Sequence, residues 1–196
     1  MNSAENIRNA FHVVYKSYEN IQKLIDYCKT IGQEKSSYVN VVNKTLRYKS
    51  DNDISGWFIQ NFIMLFQNEK DAEFNNGWRN GPIYVMEVEL YDAEDELESM
   101  RELPCVRLSK FEYDTLQDWD SGCSPSNHWR FYYPLRNNDI MGILKDEDYL
   151  YITARDQEAS DRYYWGVKKI TSKRISLTDI TADNVLEMVF GTFDNL

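Results

Sequence analysis

The first thirty residues place apolar side chains at Ile7, Phe11, Val14, Tyr18, Ile21, Ile25 and Cys28. Steps of four and three keep these positions on one stripe of an α-helix, so the spacing predicts a helix over 3–31. Ser3 is a suitable N-cap and Gly32 a suitable stop. The same steps are those of a coiled-coil seam, but Val13, Leu24 and Tyr27 widen the stripe. A stripe of that width suits a helix packed on its own domain, with a homodimer through the N-terminal helix as the alternative use.

A polar stretch over 32–37 leads to "SYVNVVNKTLRYKS", whose β-branched and aromatic residues read as a short extended piece. "SDND" then offers capping residues ahead of "ISGWFIQNFIMLFQ", apolar on nearly every side, which reads as a second helix buried in the middle of the fold. From Pro82 the period changes to two. Tyr84, Met86, Val88 and Leu90 fall on one face of a strand, and Ile83, Val85, Glu87 and Glu89 on the other. After the helix-prone run "DAEDELESMREL", further strands are expected at 104–113, 128–135, 149–154 and 162–170, with "KRISL" as a short sixth. Their short connections favour antiparallel pairing. The C-terminus reads as a helix capped by Thr181, with Ile180 and Val185 as a hydrophobic staple and Gly191 near its end.

No repeat, low-complexity tract or linker interrupts this order, so the expectation is one α+β domain over 1–196. It has an antiparallel sheet of about five or six strands packed by a long N-terminal helix, a buried second helix and a C-terminal helix. At 196 residues, 42% of them hydrophobic, the chain has enough apolar surface to build a core without disulfides or metal. Its three cysteines, Cys28, Cys105 and Cys123, stand at long, unrelated spacings. Together with an N-terminus that lacks a signal-peptide pattern and with no apolar run of spanning length, they point to a cytoplasmic protein away from the membrane.

The formal net charge of −10 disfavours polyanionic partners such as nucleic acid and favours a basic protein partner. The acidity is uneven: residues 87–120 hold twelve Asp and Glu against three Lys and Arg, while 126–176 hold seven against nine. The densest run includes Glu94, Asp95, Glu96 and Glu98, and with Glu112 and Asp114 it would carry the encounter with such a partner, as in an immunity or anti-defence inhibitor. Trp78 and Trp119, if exposed, would anchor the interface.

Chemistry-bearing residues concentrate in "DWDSGCSPSNHW". A Cys123 and His128 dyad would need the two side chains in hydrogen-bond reach, and their spacing does not supply that geometry. Gly122, Ser124, Pro125, Ser126 and Asn127 are turn formers, so 118–127 reads as a surface turn with a passive thiol. A metal centre from Asp118, Asp120, His128 and Cys123 lacks a second ligand cluster, so neither metal nor cofactor is expected. Glu87 and Glu89 share a strand face and are expected to pair across strands with Arg107 or Lys110.

Read as strands, "HWRFYYPLR" sets His128, Arg130, Tyr132 and Arg136 on one face, and "RYYWGVKKI" adds Arg162, Tyr164 and Lys168. Adjacent, these would form a guanidinium and phenol patch suited to a planar anion. That patch supports the alternative function: an enzyme or sensor acting on a nucleotide or nucleic-acid fragment, with His128 as general acid and base. The first expectation remains a non-catalytic acidic binding protein.

Overall fold

A computed structural model of the chain describes residues 2–52, 54–91, 104–146 and 148–196. The N-terminal helix α1 runs Ser3–Lys35, one turn further than its spacing predicts. Its N-cap is Asn2, whose side chain accepts from the Ala4 N–H, while Ser3 lies inside the helix. Gly32 does not stop α1. It lies within the helix, where an added Cβ would stand 2.9 Å from the Tyr38 carbonyl oxygen and 3.1 Å from the Phe190 ring. The residue is there because the helix passes close to its neighbours.

Seven antiparallel strands form one sheet: β1 (Tyr38–Asn40), β2 (Asn61–Asn68), β3 (Ile83–Glu89), β4 (Cys105–Tyr113), β5 (Met141–Asp146), β6 (Tyr149–Ala154) and β7 (Val167–Ser176). Their order is β1-β2-β3-β4-β7-β6-β5, two meanders joined where β4 pairs with β7. The architecture is α+β, as the pattern of elements predicts. The alternation in β3 holds: Tyr84, Met86 and Val88 enter one core, Ile83 and Val85 the other.

Both sheet faces are covered. On the first, the buried half of α1 (Ile21, Ile25, Cys28, Ile31) and the C-terminal helical segment (Val185, Val189, Phe190, Phe193) pack on Met64, Phe66, Tyr84 and Met86. A C-terminal helical segment is present, as a wide π-turn over Leu186–Gly191 followed by α4 (Thr192–Asp194), but Val185 and not Thr181 stands at its N-cap, and the Thr181 N–H donates to Asn184 Oδ1. On the second face lies a helical cover made of a 3-10 turn (Pro125–His128), α2 (Trp129–Tyr132) and another 3-10 turn (Tyr133–Leu135), joined by α3 (Gln157–Tyr164).

The sheet has seven strands and not the expected five or six: β5 has no counterpart among the expected strands, and "KRISL" is no separate strand but the end of β7. Three further expected elements differ. The buried second helix over 54–66 is a single 3-10 turn, Ile54–Gly56, followed by β2. A strand buried on both faces reads as a continuous apolar run, which periodicity cannot tell from a buried helix. The strand over 128–135 is the helical cover. Pro125 begins its first turn, and the Ser124 N–H donates to Asn127 Oδ1 at 2.8 Å. Phe131 and Leu135 are buried while Tyr133, which a strand would place on their face, is 43% exposed, so the segment follows a helical and not a strand pattern. Finally, 162–170 divides into the end of α3 and the start of β7. Asp156 caps α3 by accepting from the Ala159 N–H, and Trp165 and Gly166 end it with φ of 58° and 79°.

Candidate functional site

The helical cover disperses the row that strand parity draws from His128 through Lys168. His128 is only 7% exposed, its ring 5.6 Å from that of Tyr48 and 6.2 Å from that of Tyr132. Burial lowers its pKa, partly offset by the Ser126 backbone, and its buried Nδ1 has no hydrogen-bond partner. Arg130 is held between the Trp129 and Trp165 rings, 4.4 and 4.2 Å from their centroids, and donates to the Tyr163 carbonyl. Tyr132 lies under the Arg136 guanidinium at 3.6 Å. Tyr164 is buried and accepts a hydrogen bond from Asn137. Arg162 is exposed beside Tyr163, and Lys168 pairs with Asp114. Most of these cations and phenols are engaged in packing the cover, and they do not form one face.

The expected anchors also lie further in. Trp78 is 1% exposed, its Nε1–H donating to the Asp120 carbonyl at 2.9 Å. Trp119 is half-buried among Trp78, Tyr113 and Trp165, with ring centroids 4.5 to 5.2 Å away. Glu112 and Asp114 already face Lys169 and Lys168. Glu94, Asp95, Glu96 and Glu98 lie outside the described residues. Cys123 is half-buried and burial pushes its thiol up to about 12, so it is not a thiolate at neutral pH. Among the described residues no three His, Cys, Asp or Glu side chains are placed to hold a metal ion, and no helix is long and apolar enough to cross a membrane.

Two charged constellations remain. The first is buried at one end of the sheet. Register sets Asn61, Glu89, Cys105 and Ser176 in one row across four strands, and Ile63, Glu87, Arg107 and Arg174 in the next. Arg107 Nε lies 2.9 Å from Glu89 and 3.7 Å from Glu87, so the expected cross-strand pair with Arg107 forms, although in the core and not on a solvated face. Arg174 reaches Glu89 at 3.4 Å. From above, Arg136, at the end of the helical cover, contacts Glu89 and reaches Glu87 at 3.3 Å. Burial raises the Glu87 pKa, opposed in part by Arg136. Burial also acts upward on Glu89, but the three guanidiniums outweigh it and hold that carboxyl below its ordinary range. Among the described residues, these three guanidiniums and two carboxylates bind cover to sheet, and the buried Arg107 Nη1 meets no hydrogen-bond partner.

The second constellation opens to solvent. A cavity of about 480 Å³ lies between the C-terminal end of α1, the start of β1 and the C-terminal helical segment. Among the described residues its rim carries Asp183, Glu187 and Asp194 against one cation, Lys35, and the nearly buried Tyr38 and Phe190 lie at its base. The Tyr38 hydroxyl donates to Asp194 at 2.9 Å. Burial, and then that carboxylate, push the phenol pKa well up, so it remains a donor. Gly32 permits the close approach that brings the α1 end against Phe190. No protein-family model matches the chain, and no curated protein or solved structure matches it. The sites stand on their own chemistry.

Sequence reasoning misses this cavity, although part of its signal is present. Asp183, Glu187 and Asp194 are separated by steps of four and seven, which gathers them on one side of a helix. Tyr38 gives no such signal, because its position depends on β1 pairing with β2.

Proposed function

We propose that the protein is a non-catalytic binding protein that engages a basic protein partner, receiving a lysine- or arginine-bearing segment in the cavity ringed by Asp183, Glu187 and Asp194. The observation that carries this reading is the cavity itself: among the described residues it is lined by three carboxylates and one lysine, on a chain of net charge −10. A guanidinium or ammonium entering it meets the carboxylates at the rim, with which it forms charge-assisted hydrogen bonds. The acidic run through Glu94, Asp95, Glu96 and Glu98 adds to the long-range field that speeds encounter. An inhibitor of immunity or anti-defence type works by such occupation of a basic face.

Titration calorimetry with an oligoarginine peptide tests the site. Asp183→Asn with Glu187→Gln is expected to weaken binding roughly tenfold or more, at about 1 kcal/mol for each charge-assisted hydrogen bond removed. Binding that is unchanged in the double variant, or equal for an acidic control peptide, sinks the reading.

The buried cluster suggests a second reading, in which a small carboxylate or phosphate, such as that of a nucleotide, approaches the partly exposed guanidiniums of Arg136 and Arg174. Thermal unfolding with inorganic phosphate or AMP tests it, since a ligand at about a hundred times its Kd stabilises by about 2.7 kcal/mol. An unmoved transition with both ligands removes this reading.

A further inference from the structure

Among the described residues, little packs against the first half of α1, where of the stripe only Val14 and Tyr18 are half-buried. From Ile21 onward the stripe is buried, whereas Ile7, Phe11 and Tyr15 are 61%, 63% and 65% exposed. Alongside, the turn at 54–58 presents Ile54 and Trp57, 69% and 66% exposed. Tyr18 joins the two: its hydroxyl donates to the Ile59 carbonyl at 3.1 Å and accepts from the Ile59 N–H at 2.9 Å, and its ring meets Phe62 edge-on. A lone helical segment of about fifteen residues is marginal in water. A contiguous apolar surface of this extent marks a place where another surface docks.

We propose that its occupant is a second copy of this chain, the two α1 helices packing antiparallel about a point between His12 and Val13. In that register Ile7 meets Tyr18 and Phe11 meets Val14, each pair occurring twice by two-fold symmetry. Ser3, Ala10 and Ser17 recur every seven residues along one flank and let the helix axes approach. On the other flank Arg8 faces Tyr15 of the second copy, a cation against an aromatic ring. Charge favours the same occupant. Residues 2–18 hold Glu5 against Arg8 and Lys16, a net +1 on a chain of −10, so this is a segment where two copies meet without strong repulsion. A basic partner of the kind proposed for the acidic cavity has no charge reason to bind here. The helix half and the turn together offer on the order of 700 Å² per copy, close to the roughly 800 Å² each partner contributes to a standard stable interface. The globular bodies fall at opposite ends of the helix pair, and each 54–58 turn receives the first turns of the other helix.

Sedimentation equilibrium of the full chain at micromolar concentration is expected to give a dimer. Phe11→Glu, at an exposed position, is expected to give a folded monomer with an unchanged far-ultraviolet circular dichroism spectrum, while Leu144→Glu, exposed on edge strand β5, stays dimeric. For the register, Phe11→Cys and Val14→Cys chains in a Cys123→Ser background are expected to cross-link to each other on mild oxidation. A wild-type monomer at about 100 µM, a dimer that survives Phe11→Glu, or one broken by Leu144→Glu overturns the proposal. Cross-linking of Phe11→Cys with itself in preference to Val14→Cys overturns the antiparallel register.

Discussion

Arg136 makes contacts of several kinds at once. It reaches Glu87 and Glu89 below, stacks on Tyr132, and donates to the Tyr132 carbonyl at 2.9 Å, so one side chain ties cover to sheet. Removing one partner of a buried ion pair leaves the other uncompensated, which costs more than the pair itself contributes. Arg136→Ala is therefore expected to lose about 3 kcal/mol or more in urea unfolding. The two carboxylates also give stability opposite pH dependences. Glu87 has a raised pKa in the folded protein, so between its ordinary value of 4.5 and neutrality the folded state binds more protons than the unfolded, and stability falls as pH rises. Glu89 has a lowered pKa, so its contribution is present above the ordinary value and is lost as pH falls below it. Glu87→Gln, which stays neutral, should flatten the decline between about pH 5 and 7 and leave the acid limb in place. A decline of the same slope in the variant would assign it to other groups.

At the level of elements, α1, β3, β4, β6 and the C-terminal helix are legible in the sequence because each keeps one periodicity between recognisable turn or capping residues. β2 is not: Ile63 and Leu65 enter one core and Met64 and Phe66 the other, as in β3, but β2 has no counterpart of Glu87 and Glu89 to mark one face, so it reads as an unbroken apolar run. The cover over 125–135 is misread for the opposite reason. Arg130 and Tyr132 alternate with Trp129 and Phe131 as if on a strand, yet the polar groups are held in place by stacking and ion pairs that only the tertiary structure supplies. Because that cover carries His128, Arg130 and Tyr132, misreading one element misplaces a whole candidate site. The acidic cavity depends on elements the sequence does identify, brought together by Gly32. Gly32→Ala should gain about 1 kcal/mol of helix propensity and lose more to the clash with the Tyr38 carbonyl and Phe190, a net cost of about 1–2 kcal/mol. The same variant should weaken oligoarginine binding by separating α1 from the C-terminal helix. A stabilised variant with unaltered binding would show that the close approach is not needed.

Across the whole molecule, charge and apolar surface act in different places, which makes the two proposed associations separable by salt. The acidic cavity and the net charge of −10 attract a basic segment through fields that a Debye length of about 8 Å at physiological ionic strength already limits. Pairing through α1 buries Ile7, Phe11 and Tyr15, and its main electrostatic term is the mutual repulsion of two acidic bodies. Raising sodium chloride from about 20 mM to about 500 mM therefore weakens oligoarginine binding by screening attraction, and tightens the dimer by screening repulsion. Calorimetry and sedimentation on the same sample read the two constants side by side. Binding and dimerisation that fall together with salt would mean that the helix pair is held by charge and that the stripe from Ile7 to Tyr18 is not its seam. Opposite slopes, with Phe11→Glu abolishing only the dimer and the Asp183 and Glu187 substitutions weakening only peptide binding, assign each association to its own surface.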